Sequence, residues 1–188
     1  MKVINLFGGP GSGKSTTAAG LFYFMKLRGQ SVDLVTEYAK ELVWEGRLDD
    51  MLDKQEDIFV EQQRRVRRLR DNVEYAIVDS PLLLSAVYPI MNQKQKGVDE
   101  WPAMDEFLAF VKAVNNTYNN ANIFLERPSS FEDNGRDHDL EQSMEIDYAI
   151  KDTLSRLDEP FLSVPTNNLT VELLLDLFKD KDPGFPSF

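Results

Sequence analysis

The 188-residue sequence contains no cysteine and a single histidine, His138. The lack of cysteine excludes disulfide bonds, thiolate metal sites and cysteine nucleophiles. No apolar run approaches the length that crosses a bilayer, and Met1 leads directly into a strand-like segment, which predicts that no secretory signal is present. These absences predict a cytoplasmic protein without a membrane partner.

Positive charge is also scarce, because 21 lysine and arginine residues stand against 32 aspartate and glutamate residues, for a net charge of −11. Broad, non-specific binding to nucleic acid requires a cationic surface, so this balance disfavours that class of protein while leaving a local basic groove open. A hydrophobic content of 42% is typical of a globular chain. Length and composition predict one domain over residues 1–179 and a polar tail over residues 180–188.

The strongest motif that is present spans residues 8–15 and reads Gly-Gly-Pro-Gly-Ser-Gly-Lys-Ser. It matches the phosphate-loop pattern of Gly, four residues and then Gly-Lys-Ser. An apolar, strand-like run over residues 2–7 precedes the motif, and a helical pattern over residues 16–28 follows it. This is the strand–loop–helix context that the pattern requires, so a Gly-rich turn without a ligand is the weaker interpretation.

The residue types of this motif suit the phosphates of a nucleotide and Mg²⁺. Glycines let main-chain amides approach the phosphates, and the positive end of the next helix faces them. We expect the Lys14 ammonium group to reach the terminal phosphates and the Ser15 hydroxyl group to ligate Mg²⁺. The predicted nucleotide-binding residues are Gly8, Gly9, Pro10, Gly11, Ser12, Gly13, Lys14, Ser15 and Thr16.

Five strand-like segments alternate with helical ones, which predicts a parallel sheet between two layers of helices. The third strand-like segment, over residues 74–79, ends in Asp79. Together with Ser15, this carboxylate is predicted to hold Mg²⁺. The alternative is a helix-capping aspartate in front of Ser80 and Pro81.

Glu37 and Tyr38 follow the second strand-like segment. Ligands gather at the carboxyl ends of parallel strands, so both residues are expected near the phosphate loop. Glu37 is predicted to act as a general base on an acceptor hydroxyl group or to hold that group by a hydrogen bond, and Tyr38 is predicted to contact the acceptor. The alternative for Glu37 is an exposed glutamate in the first turn of a helix, where the helix dipole favours it.

Five arginines crowd the second half of a helical segment between residues 64 and 70. Arg64 and Arg68 share one face of that helix and are predicted to contact phosphates of a nucleotide acceptor or of a nucleic-acid backbone. The alternative is a solvated face whose cations pair with nearby carboxylates.

Pro89 interrupts the apolar helical segment that follows the third strand. Because proline lacks an amide hydrogen and clashes with the preceding turn, the sequence predicts that this helix ends there. Residues 91–101 are accordingly predicted to form a loop near the acceptor.

A polar stretch over residues 127–139 follows the fourth strand and is predicted to form a lid loop over the nucleotide. Arg127 and Arg136 would neutralise charge on the transferred phosphoryl group. The alternative is a surface loop with incidental arginines. Asp147 lies in the next helical segment, where the sequence assigns it no role.

The order of these features resembles the nucleoside and nucleotide kinase group of phosphate-loop proteins over most of the chain. Residues 36–40 (Thr-Glu-Tyr-Ala-Lys) and 124–128 (Phe-Leu-Glu-Arg-Pro), with Gly135 and Arg136, also resemble small ATPase-like kinases of bacteriophages. That group includes enzymes that phosphorylate hydroxymethyluracil in phage DNA. The resemblance implies a phosphate-loop NTPase sandwich with strand order 2-3-1-4-5, and the host cytoplasm as the location.

The predicted function is transfer of the γ-phosphoryl group of ATP to a hydroxyl group of a nucleoside- or nucleotide-type acceptor, with ATP and Mg²⁺ bound. Many deoxynucleoside kinases carry Asp-Arg-Ser where this chain has Asp79-Ser80-Pro81, which argues against a free nucleoside as the acceptor. The arginine run and the resemblance favour hydroxymethyluracil in DNA, whereas the net charge favours the alternative, a free nucleoside or nucleoside monophosphate. A nucleotide-hydrolysing regulatory switch is the alternative from another class. The predicted catalytic residues are Lys14, Glu37, Asp79, Arg127 and Arg136.

Overall fold

The structure, a computed structural model, describes residues 1–47, 55–96, 102–127 and 140–179. Five strands of these residues form one parallel sheet in the order β2-β3-β1-β4-β5, namely β1 (Lys2–Phe7), β2 (Val32–Val35), β3 (Tyr75–Val78), β4 (Asn119–Glu126) and β5 (Leu162–Pro165). The helices are α1 (Lys14–Leu27), α2 (Tyr38–Trp44), α3 (Gln55–Arg67), α4 (Leu84–Lys96), α5 (Pro102–Asn115), α6 (Leu140–Arg156) and α7 (Thr170–Leu177). None of the helices in these ranges combines the length and the apolar character needed to cross a membrane.

Helices cover both faces of the sheet, which confirms the predicted three-layer α/β sandwich and the strand order 2-3-1-4-5. In β1, Ile4 and Leu6 pack with residues of α1 and α7 on one face. Val3 and Phe7 pack with residues of α3, α4, α5 and α6 on the other face. All four side chains are at most 2% exposed, as expected for a parallel strand that is covered on both sides.

The central strand β1 marks the point where the chain changes direction across the sheet. It pairs with β3 on one side and with β4 on the other. Ligands of such sheets bind at the carboxyl ends of the strands beside this switch point. Gly8, Asp79 and Arg127 each follow a strand directly, and Glu37 follows β2 by two residues, so the fold gathers them at one edge.

The prediction that a helix ends at Pro89 is wrong, because α4 continues through this residue to Lys96. The predicted loop over residues 91–101 is therefore wrong for residues 91–96, and residues 97–101 lie outside the described ranges. Proline removes one helical hydrogen bond, and its ring crowds the preceding turn. The buried Val87 before it and the partly buried Met91 after it both pack into one apolar cluster, and this packing outweighs the lost bond.

Replacing Leu21 with Ala should lower the free energy of unfolding by about 2–5 kcal/mol, because this fully buried side chain packs α1 against the sheet. Denaturant unfolding measures the change. The matched control is Leu27→Ala in the same helix, where 66% of the residue is exposed and the expected change is within about 0.5 kcal/mol. Equal losses in the two variants would contradict the packing described for α1.

Candidate active site

The phosphate loop turns sharply between β1 and α1, and its shape depends on glycine. Gly13 has a φ of 88°, in the left-handed region that side chains disfavour. A Cβ atom at Gly13 would also lie 2.7 Å from the Thr166 side chain. The Thr166 hydroxyl group donates a hydrogen bond to the carbonyl oxygen of Ser12 at 2.9 Å. Thr166 therefore supports the loop from the end of β5, a contact that the sequence did not reveal.

Lys14 is the first residue of α1 and lies at the centre of the site. Its Nζ donates hydrogen bonds to the carbonyl oxygens of Gly8 at 2.6 Å and Gly9 at 3.2 Å. Burial lowers the pKa of Lys14, and the charges of three carboxylates oppose that shift, namely those of Glu37, Asp79 and Asp147. An ammonium group held at the mouth of a phosphate loop is suited to contact a terminal phosphate.

Ser15 and Asp79 form the group that fits a divalent cation. The Ser15 hydroxyl group donates a hydrogen bond to Asp79 Oδ2 at 2.6 Å. Asp79 is only 6% exposed, and its Oδ1 atom has no hydrogen-bond partner in the described part of the chain. A buried carboxylate oxygen without a partner is costly, and oxygen ligands are those that Mg²⁺ prefers. Because α4 begins five residues after Asp79, the arrangement favours metal binding over helix capping.

Glu37 is a half-buried residue at the N-terminal end of α2, and its side chain makes no capping hydrogen bond. Burial raises the pKa of Glu37, the Lys14 charge lowers it, and the Asp79 charge raises it further. The Glu37 carboxylate therefore lies close enough to Lys14 and Asp79 for both charges to act on it. A carboxylate whose pKa is raised in this way is typical of a general base.

Gln62 of α3 holds the main chain on both sides of Glu37. Its Oε1 accepts the amide hydrogen of Tyr38 at 3.1 Å, and its Nε2 donates to the carbonyl oxygen of Thr36 at 3.3 Å. Gln62 is 3% exposed, in helical register with the buried residues Phe59 and Val66. The sequence analysis missed it, although a glutamine at a buried helical position was an available signal.

Tyr88 of α4 is a second residue that the sequence analysis missed. Burial raises the pKa of Tyr88 to about 12, and the charge of Glu37 adds to the shift. Because 38% of the residue is exposed, the protonated Tyr88 hydroxyl group is also accessible to a ligand as a hydrogen-bond donor.

The arginines of α3 pair largely with carboxylates of the protein. Arg65 contacts Glu41 at 2.6 Å and Glu61 at 2.9 Å, and its guanidinium carbon lies 4.8 Å from the centre of the Tyr38 ring. Arg64 contacts Glu61 at 2.7 Å and remains exposed. The pKa of Glu61 falls to about 2 because Arg64 and Arg65 both donate to it.

Arg68 is exposed and lies beyond the end of α3, on the way to the start of β3 and thus away from the phosphate loop. The structure does not bring Arg64 or Arg68 to the cluster around Lys14. Their predicted contact with an acceptor stays a prediction, whereas Arg65 is the arginine of this helix that lies beside Tyr38.

Arg127 and Asp147 form an ion pair next to the phosphate loop, with Nη2 and Oδ2 2.8 Å apart. Asp147 also accepts the amide hydrogen of Gly9 at 2.6 Å, so a residue without an assigned role belongs to the site. Arg136 and the rest of the predicted lid, residues 128–139, lie outside the described ranges together with His138. The predicted roles of Arg127 and Arg136 at the transferred phosphoryl group remain predictions.

Replacing Glu37 with Gln should raise the free energy of unfolding at neutral pH. The raised pKa means that the folded chain binds this proton more tightly than the unfolded chain, so ionisation above that pKa reduces stability. The gain should shrink as the pH falls through the folded pKa, and vanish below the unfolded pKa, where Glu37 is protonated in both states.

Urea unfolding of the wild type and of Glu37→Gln across a pH series measures this difference. Glu106→Gln, at an exposed position of α5, serves as the control and should show no comparable gain. A loss of stability in Glu37→Gln at neutral pH would contradict the electrostatics described here.

The comparisons with known proteins agree with this fold. Three solved structures of deoxyadenosine kinase from M. mycoides are similar, each 18% identical in sequence: those with bound dCTP, with the products dCMP and a flexible dCDP, and with bound dATP. The TM-scores are 0.63, 0.61 and 0.64, and the matches cover 95–96% of this chain and 99–100% of those chains. No curated protein matches the sequence.

A family model described as the AAA domain matches residues 3–170, which include the phosphate loop and the whole cluster around Lys14. The chain therefore belongs to the AAA domain family.

Proposed function

We propose that this protein is an ATP-dependent kinase that transfers the γ-phosphoryl group to a hydroxyl group of a nucleoside or nucleotide. The observation that carries the proposal is the convergence of three groups at the mouth of the phosphate loop. They are the Lys14 ammonium, the hydrogen-bonded pair of Ser15 and Asp79, and the half-buried carboxylate of Glu37. Phosphoryl transfer depends mainly on positioning and on charge stabilisation, and these groups provide both.

The donor would bind at the phosphate loop. Main-chain amides at the start of α1 face its phosphates, and Lys14 would exchange its hydrogen bonds with the Gly8 and Gly9 carbonyl oxygens for contacts with the terminal phosphates. Ser15 and Asp79 would hold Mg²⁺, which supplies positive charge to the phosphate oxygens when it is bound. The predicted charge-stabilising role of Arg136 completes this half of the proposal.

The acceptor hydroxyl group would bind beside Glu37, which orients it and removes its proton. Gln62 fixes the main chain on both sides of Glu37, and the protonated Tyr88 hydroxyl group is a further donor nearby. Tyr38, against Arg65, supplies an aromatic surface at the same end of α2. An aromatic ring with adjacent hydrogen-bonding groups suits a nucleoside.

A nucleoside or nucleoside monophosphate is now the favoured acceptor, ahead of a modified pyrimidine in DNA. The similar solved structures are deoxyadenosine kinases, whereas nothing comparable supports a DNA acceptor. Arg64 and Arg65 are neutralised by Glu41 and Glu61, which weakens the argument for a phosphate-binding face on α3. The net charge of −11 points in the same direction.

Transfer of radiolabelled phosphate from γ-labelled ATP to a panel of acceptors tests the function. The panel contains deoxynucleosides, nucleoside monophosphates, and DNA with and without hydroxymethyluracil. Labelled nucleotide products are expected, and Lys14→Ala should lower the rate about a hundredfold or more. Release of phosphate without any labelled acceptor would favour the hydrolytic switch, and full activity of Lys14→Ala would overturn the assignment.

The pH dependence of the reaction provides a separate check on Glu37. Because burial raises the pKa of Glu37, kcat/KM for the acceptor should fall on the acid side with a midpoint above that of an ordinary glutamate. Glu37→Gln should be about 10²–10⁴-fold slower and should lack this acid limb. An unchanged acid limb in Glu37→Gln would assign the titration to another group.

A further inference from the structure

We propose that Asp147 and Arg127 form a brace that fixes the phosphate loop against α6, and that both are positioning residues for the triphosphate of the donor. The identity of the donor rests on the proposed function. The brace itself rests on the contacts of Asp147 and Arg127 with the loop and with each other.

Asp147 connects the loop to Arg127 through its two carboxylate oxygens. Its Oδ1 accepts the amide hydrogen of Gly9 at 2.6 Å. Its Oδ2 accepts from Nε and Nη2 of Arg127 at 3.1 Å and 2.8 Å. Hydrogen bonds between ionised partners are the strong ones, and this pair is largely shielded from water, with side chains 10% and 16% exposed.

Arg127 in turn holds the loop and α6 with the rest of its guanidinium group. Nη1 donates to the carbonyl oxygen of Pro10 at 2.6 Å, and Nη2 donates to that of Ser143 at 3.1 Å. The guanidinium group is thus engaged by the loop, by the α6 main chain and by Asp147. This geometry assigns Arg127 to positioning the loop rather than to the transferred phosphoryl group.

The packing at Gly9 shows how closely the brace approaches the loop. A Cβ atom on Gly9 would lie 2.8 Å from the Ser143 carbonyl oxygen, 2.9 Å from Asp147 Oδ1 and 3.2 Å from Arg127 Nη2. Two groups of α6 and the Arg127 side chain therefore occupy the space that any side chain at Gly9 would need. The brace explains why a residue without a side chain stands at this position of the loop.

The brace acts on the half of the loop that lacks support from Thr166. Thr166 contacts Ser12 and packs at Gly13, while Asp147 and Arg127 contact Gly9 and Pro10. Small displacements of binding groups lower affinity and rate by large factors. Loosening the Gly9–Pro10 half of the loop should therefore lower its affinity for the phosphates.

Binding of ATP·Mg²⁺, measured by titration calorimetry, tests the brace without reference to an acceptor. Asp147→Asn and Arg127→Met should each weaken ATP binding by about tenfold or more. Tripolyphosphate with Mg²⁺, used as a second probe, should lose affinity in parallel because the effect is on the phosphates. The matched control is Asp152→Asn in the same helix, which breaks the Asp152–Arg156 ion pair and should bind like the wild type.

A double variant separates positioning from plain stability. Asp147→Asn alone removes the carboxylate charge that faces the buried Arg127 guanidinium group, which is destabilising, whereas Arg127→Met with Asp147→Asn removes both charges. We expect the double variant to regain thermal stability relative to Asp147→Asn and still to bind ATP as weakly as Arg127→Met.

Three results would overturn the brace: wild-type affinity in Asp147→Asn at temperatures where it is folded, tighter binding in Asp147→Asn, or no binding of ATP by the wild type. The second result would mean that the carboxylate competes with a phosphate for the Gly9 amide. If the wild type binds ATP but phosphorylates no acceptor, the proposed function fails, and the binding data on the variants still decide the role of the brace.

Discussion

A loop in which every second residue on average is glycine cannot hold its own shape, and this constraint governs the structure around residues 8–15. Main-chain amides attract phosphates only if they are already oriented, because ordering them on binding would cost conformational entropy. The surrounding fold supplies that order. Thr166 bonds to one half of the loop, Asp147 and Arg127 bond to the other half, and Lys14 bonds back to the first two carbonyl oxygens.

Charge balance is the second constraint on the site. Two cations, Lys14 and Arg127, face three carboxylates, those of Glu37, Asp79 and Asp147. Each carboxylate has a different environment: Asp79 accepts from Ser15, Asp147 pairs with Arg127, and Glu37 is influenced mainly by burial. This difference in surroundings is what the proposed function requires, because it would let groups of one chemical type serve as metal ligand, structural acceptor and base.

The sequence was sufficient for the features that depend on local pattern. They are the phosphate loop, the apolar strands, and the residues that follow β2 and β3. Each could be predicted because its signal lies within a few consecutive residues of the chain. Asp147 could not, since it lies 138 residues from the Gly9 amide that it contacts. The pairing of Arg65 with Glu41 was hidden for the same reason, because the two residues lie 24 positions apart. The pairing of Arg64 with Glu61, by contrast, joins neighbouring turns of one helix, and helical spacing was an available signal for it. Pro89 was misread because its local cost is outweighed by tertiary packing.

The parts that complete the site are far apart in the sequence, and this has a consequence for folding. The loop spans residues 8–15, yet its supports come from residues 127, 143, 147 and 166. The neighbouring strand β4 pairs with β1 across more than a hundred intervening residues. The loop of residues 8–15 therefore reaches its final order only after residues as far along as Thr166 have joined the fold. Nucleotide can stabilise the folded domain by mass action, but it cannot substitute for contacts that form this late.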